Sequence, residues 1–134
     1  MIALELSKIK VDETRNEQLI VFREKGGTRY LPVVIGMAEV NAIKLKLSGV
    51  VPPRPLTHDL LVKVIEVLGA KLEKVLIYKL ENNTFFAKLC LITKDQESLE
   101  LDARPSDSVA IALRAQAPVY AAEEVLGQAG VTDL

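Results

Sequence analysis

Ile2, Leu4 and Leu6 alternate with polar partners, and Ile9 and Val11 continue on the opposite parity. That switch predicts a first strand with a bulge near Ser7-Lys8. Leu19 to Phe22 and Tyr30 to Ile35 predict two more strands, joined through Glu24-Lys25-Gly26-Gly27, where paired glycines supply the positive φ of a tight hairpin. Pro32 has no N–H to give a ladder, so the third strand starts there or lies at a sheet edge. Met37 to Leu47 shows helical spacing, with Ala38, Ala42 and Leu45 on one side, and Ser48-Gly49 stops it. Val50 to Leu56 holds three prolines and cannot be regular helix. Thr57 then reads as the N-cap of a helix starting at His58-Asp59, with an apolar stripe of Leu60, Leu61, Val64, Ile65 and Leu68 and a C-terminal Gly69.

Leu72 to Leu80 and Thr84 to Thr93 are β-rich and separated by Glu81-Asn82-Asn83, which predicts a second hairpin because asparagine tolerates left-handed backbone. Phe85, Phe86, Leu89, Cys90, Leu91 and Ile92 put apolar residues on both parities, the pattern of a central strand covered on both faces. After a polar turn, Leu99 and Leu101 point one way and Glu100 and Asp102 the other, up to Arg104-Pro105. Ser106 can cap a helix running to about Ala115. Val119-Tyr120 is a short strand and Glu123 to Gln128 a last helical segment. The predicted order, β-β-β-α-α-β-β-β-α-β-α, has no linker, so residues 1–134 read as one α+β domain with helices packed on a mixed sheet.

Composition sharpens this picture in two places. The chain of 134 residues is 49% apolar, high for its length, so part of that surface is expected to be covered by another subunit in a homo-oligomer. Seventeen basic against 18 acidic residues leave a net charge of −1, and that balance does not by itself point to a nucleic-acid partner. One cysteine excludes an internal disulfide and fits a reducing compartment. The alternating, charged start MIALELSKIKVDE is not the pattern of a secretory signal, and no apolar run reaches membrane-spanning length. The expected location is the cytoplasm, with no membrane partner.

Two segments echo each other: Arg54-Pro55-Leu56-Thr57-His58-Asp59 and Arg104-Pro105-Ser106-Asp107. Each has an arginine able to grip phosphate or carboxylate bidentately, then a helix start with free N–H groups, a combination suited to anions. Each also serves as ordinary helix initiation, with proline and an acid in the first turn. His58 is the one histidine, and an imidazole beside Asp59 is a side chain that can pass protons to water or a hydroxyl. Asp102 ends a strand, where loops build clefts, or else pairs with Arg104. Glu39, Asp59, Asp102 and Asp107 are the acids near these loops, the donor type a hard divalent cation prefers, yet no spacing is diagnostic of a metal. One cysteine and one histidine give no zinc set, and Gly-rich phosphate loops and serine-hydrolase elbows are absent. Cys90 reads as a core thiol. Few aromatics, most of them in strands, argue against a stacking platform for single-stranded bases.

Four blocks carry a resemblance: Leu31-Pro32-Val33-Val34-Ile35-Gly36 with Glu39, Pro53 to Leu61, Asn83-Thr84-Phe85-Phe86-Ala87, and Leu101 to Ala110. In this order, from about Ala3 to Gly130, the chain resembles the bifunctional nuclease domain, whose plant members are credited with DNase and RNase activity. The resemblance implies a metal-dependent nuclease in which Asp102 and Asp107, with Glu39 or Asp59, hold Mg²⁺ or Mn²⁺. His58, with Asp59, Asp102 and Asp107, would form the catalytic set, and Arg54, Thr57, Arg104 and Ser106 would contact phosphate. The other expectation is a non-catalytic oligomeric module that binds a small anion or a partner protein at its Arg-Pro helix starts, since a shared fold does not carry an activity with it.

Overall fold

The computed structural model describes residues 1–12, 14–15 and 17–133. Its elements are β1 (Ile2–Asp12), β2 (Glu17–Glu24), β3 (Tyr30–Ile35), α1 (Met37–Leu47), α2 (Thr57–Val67), β4 (Lys71–Glu81), β5 (Thr84–Ile92), β6 (Ser98–Ala103), α3 (Pro105–Ala115), β7 (Val119–Ala121) and α4 (Glu123–Ala129), in the predicted order. The strands form one mixed sheet, β3-β2-β1-β7-β4-β5-β6. Two antiparallel meanders, β1-β2-β3 and β4-β5-β6, each lead into a helix. Three-residue β7 joins them, antiparallel to β1 and parallel to β4. The β1–β2 register slips between Leu6 and Lys8, where the parity of the apolar residues changes. Pro32 lies in β3, an edge strand.

Strand pairing aligns Leu4, Val119, Val75 and Leu89 across four neighbouring strands, so one face of the sheet is apolar. All four helices pack there. Val40 and Ile43 of α1, Val109 of α3 and Val125 and Leu126 of α4 join the main core with Phe22, Leu31 and Ile77, and Val62 of α2 meets a smaller cluster around Leu72 and Ile111. The opposite face carries no helix among the described residues, so β5 is covered on one side and not two. Phe86 and Lys88 sit half-buried on that open face beside Tyr78, with the Lys88 ammonium 5.0 Å from the Tyr78 ring centre. No described helix is long and apolar enough to cross a membrane.

Three local expectations change. Leu56, not Thr57, is the N-cap of α2, and the Asp59 carboxylate closes the helix start by accepting the Leu56 N–H at 2.9 Å. Arg104, not Ser106, caps α3, because Pro105 takes the first helical position, where its missing N–H costs nothing, and Ser106 is carried inside and buried. The stripe on α2 is largely exposed, as are Leu99 and Leu101.

Gly69 ends α2 at φ 79°, with its N–H bonded to the Glu66 carbonyl and that of Ala70 bonded to the Ile65 carbonyl. This pair of bonds requires a left-handed residue. Gly69→Ala is expected to cost about 1 kcal/mol through the Cβ penalty of that conformation, read as a lower urea midpoint at unchanged m.

Candidate functional site

The first turns of three helices converge. Gly36 lets α1 begin directly after β3, and Glu39 folds back over that start; a Cβ on Gly36 would lie 3.1 Å from its carboxylate. Arg104 leaves β6 at the N-cap of α3 and holds two acids. Its Nη2 lies 3.0 Å from Glu39 Oε1 and 2.8 Å from Asp107 Oδ2, and its Nε donates to the same Asp107 oxygen at 2.8 Å. The other Asp107 oxygen lies 3.0 Å from His58 Nε2, which comes from α2. Glu39, Arg104, Asp107 and His58 thus form one chain of contacts across α1, α3 and α2. They line an open cleft of about 670 Å³ with Pro55, Leu56 and Thr57.

Burial raises the pKa of the Asp107 carboxyl, but hydrogen bonds and charge from Arg104 and His58 outweigh it and hold the group below the usual carboxylate range. Asp107 stays ionised at neutral pH as a pure acceptor, so Nε2 of His58 carries the hydrogen that points at it, and in that tautomer of the imidazole the lone pair lies on Nδ1. The hydrogen bond that Arg104 donates to Asp107, followed by the charges of Asp107 and Glu39, raises the pKa of Arg104. The Arg104 side chain is 67% exposed, and its Nη1 makes no hydrogen bond or ion pair among the described residues. Two N–H groups of a fixed guanidinium therefore face solvent beside a histidine oriented by a carboxylate.

A second network supports the first. Arg114, with only 5% of its side chain exposed, donates from Nε to Asp59 Oδ1 at 2.6 Å, from Nη1 to the Ala110 carbonyl at 2.8 Å and from Nη2 to the Ala42 carbonyl at 3.1 Å. It ties α3, α2 and α1 together through Asp59, the residue that follows His58. The Leu56 N–H and then Arg114 hold the Asp59 carboxyl below its ordinary pKa, against the upward effect of burial. Sequence reasoning missed Arg114. Its only signal is a long cation at the end of an otherwise small-residue, apolar helix.

The predicted residues therefore divide. His58, Asp107, Arg104, Glu39 and Thr57 share the cleft. Ser106 lines an adjoining hollow of about 540 Å³ that shares Glu39 and Arg104 with it. Asp59 is committed to the helix start and Arg114. Asp102 is elsewhere: alternation along β6 turns it to the open face, where its carboxylate accepts from the Tyr78 hydroxyl at 3.3 Å, and it forms no ion pair with Arg104. Arg54 is exposed and makes no hydrogen bond or ion pair among the described residues, so the two Arg-Pro turns are unequal. A metal site of Glu39, Asp102 and Asp107 is not assembled, since a guanidinium bridges the first and last and the second lies across the sheet. No three His, Cys, Asp or Glu among the described residues converge as ligands.

Asp59 and Asp107 bind fewer protons in the folded chain than in the unfolded one at mildly acid pH, as do Glu24 and Glu123, whose hydrogen bonds to Arg29 lower their pKa values. The sign is fixed by that difference. Their contribution is complete above the unfolded carboxyl values, roughly pH 4–5, and drains away as pH falls through the lower folded values. Urea midpoints between about pH 3 and 7 should decline steeply only at the acid end, and Asp59→Asn should flatten that decline.

A family profile described as the Bifunctional nuclease domain matches residues 20–133. Two uncharacterized proteins of Mycobacterium tuberculosis strains are 47% identical over 123 residues, covering 92% of this chain and 73% of theirs. Bifunctional nuclease 2 of Oryza sativa subsp. japonica is 27% identical over 112 residues, and Bifunctional nuclease 1 of Arabidopsis thaliana 23% over 110. Each match covers 81% of this chain and 34% of the plant protein. The profile spans most of the chain and takes in every residue of the cleft, so this protein belongs to the bifunctional nuclease domain family.

Proposed function

We propose that the chain hydrolyses phosphodiester bonds of DNA or RNA in the cleft between α1, α2 and α3. The observation that carries this is the chain of contacts from Glu39 through Arg104 and Asp107 to His58. The names of the plant relatives agree with it. A phosphate oxygen would meet the free Nη1 of Arg104 and the first N–H groups of α3. The His58 imidazole, oriented by Asp107, would take a proton from the attacking water. The imidazolium would return that proton to the leaving oxygen as the P–O bond breaks. The products are a phosphate monoester and a hydroxyl. No step uses a metal ion.

The test incubates purified protein with labelled RNA and with single- and double-stranded DNA in Mg²⁺, Mn²⁺ and EDTA. Wild type should cleave at least one of them, His58→Ala should not, and Asp102→Ala should match wild type because Asp102 lies on the other face. Equal cleavage by His58→Ala would place the activity outside this cleft. No cleavage, with a Tm raised by phosphate, would make the cleft an anion-binding site instead.

A further inference from the structure

We propose that the outer side of α2 is the centre of an interface between two copies of this chain. α2 is apolar on two sides. His58, Val62 and Ile65 turn towards the body of the molecule, yet none of the eleven helical residues is fully buried. Leu60, Leu61, Val64, Val67 and Leu68 fall on the other side, each between 40 and 82% exposed. At about 100° per residue these five occupy an arc of roughly 120°. A helix apolar on both sides is one that is covered on both.

The helix-bearing face of the sheet adds exposed apolar surface. Val62 and Leu91 pack against the same buried cluster, Leu99 is the cross-strand partner of Leu91, and Leu99 and Leu101 are about half exposed on that face of β6. β6 is also the last strand of its sheet. Seven aliphatic side chains at this exposure amount to several hundred Å², on the scale of the roughly 800 Å² per partner of a specific dimer. The arc holds no charged residue: Asp59, Lys63 and Glu66 lie together on one flank. An uncharged apolar face meets its own copy without like-charge repulsion, as a two-fold contact requires, and offers a charged peptide or a polyanion nothing to pair with.

Sedimentation velocity over micromolar concentrations should show a species of twice the 14.7 kDa chain mass. Val67→Lys with Leu68→Lys should be a monomer that still unfolds cooperatively. Both side chains are mostly exposed, and the last turn of α2 has no basic residue, so lysines there favour the isolated helix. Val64→Cys should oxidise to a covalent dimer where wild type does not, because the native Cys90 is buried. A wild type that stays monomeric overturns the proposal. So does a lysine variant that associates like wild type, a dimer that Val64→Cys cannot cross-link, or a monomer that floats with phosphatidylcholine vesicles.

Discussion

Arg114→Ala should lower the unfolding free energy by about 3–5 kcal/mol, the range for breaking a buried ion pair from one side. The guanidinium is nearly enclosed and serves three acceptors on three helices. Alanine leaves the Asp59 carboxylate part-buried with one partner, the Leu56 N–H, and strips the Ala110 and Ala42 carbonyls of their side-chain donor. For a chain of this length the loss corresponds to a fall in Tm on the order of 10 °C, read by circular dichroism. Arg114→Lys keeps the charge but places three acceptors around one ammonium in the wrong geometry, so it should recover only part of the loss. A double-mutant cycle with Asp59→Asn separates the pair from the carbonyl contacts, and the coupling should exceed about 1 kcal/mol because the two residues touch. A Tm within a degree or two of wild type would mean that the contacts of Arg114 hold nothing in place.

The outline of the fold is written in local periodicity. The parity switch at Ser7-Lys8, the limits of β3 and α1, and the two left-handed asparagines after β4 were all legible, because each depends on a few adjacent residues. Coverage by neighbours was not. Apolar residues on both parities of β5 reflect Phe86 packing with Tyr78 on an open face, an arrangement set by a bulge in β4 that no pattern within β5 records. Likewise, an amphipathic stripe shows that α2 buries something without saying which side its own chain covers.

The cleft was legible in its parts and not in its connections. The two helix starts share a sequence motif, yet of their arginines Arg104 lines the cleft, because Glu39 and Asp107 are placed to receive it and Arg54 has no such partners among the described residues. Asp102 lies apart from the cleft for a related reason: alternation along β6 fixes its face, opposite Leu99 and Leu101, but only the pairing of Asp102 with Lys88 shows that this is the face without helices. Arg114 joins residues 55 and 72 positions away, a separation at which sequence spacing carries no information.

His58→Ala should reduce kcat for nucleic-acid cleavage by about 10²–10⁴-fold, the usual contribution of a positioned acid–base group, and leave KM nearly unchanged because phosphate binding rests on Arg104 and the α3 N-terminus. Asp107→Asn tests the orienting role separately. The amide can offer the ring a donor where the carboxylate only accepts, which permits the wrong tautomer, so kcat should fall by about 10-fold or more in a chain that still folds. Arg104→Ala should behave differently, raising KM as well as lowering kcat, since its free Nη1 would contact phosphate in the ground state too. It also leaves the Glu39 and Asp107 carboxylates without the cation they share. If His58→Ala and Arg104→Ala change kcat and KM in the same proportions, histidine and arginine are not dividing proton transfer from phosphate binding, and the chemistry assigned to His58 is wrong. If both variants bind substrate like wild type and differ only in kcat, Arg104 contacts phosphate only as charge builds in the transition state, and the cleft is complementary to that state alone.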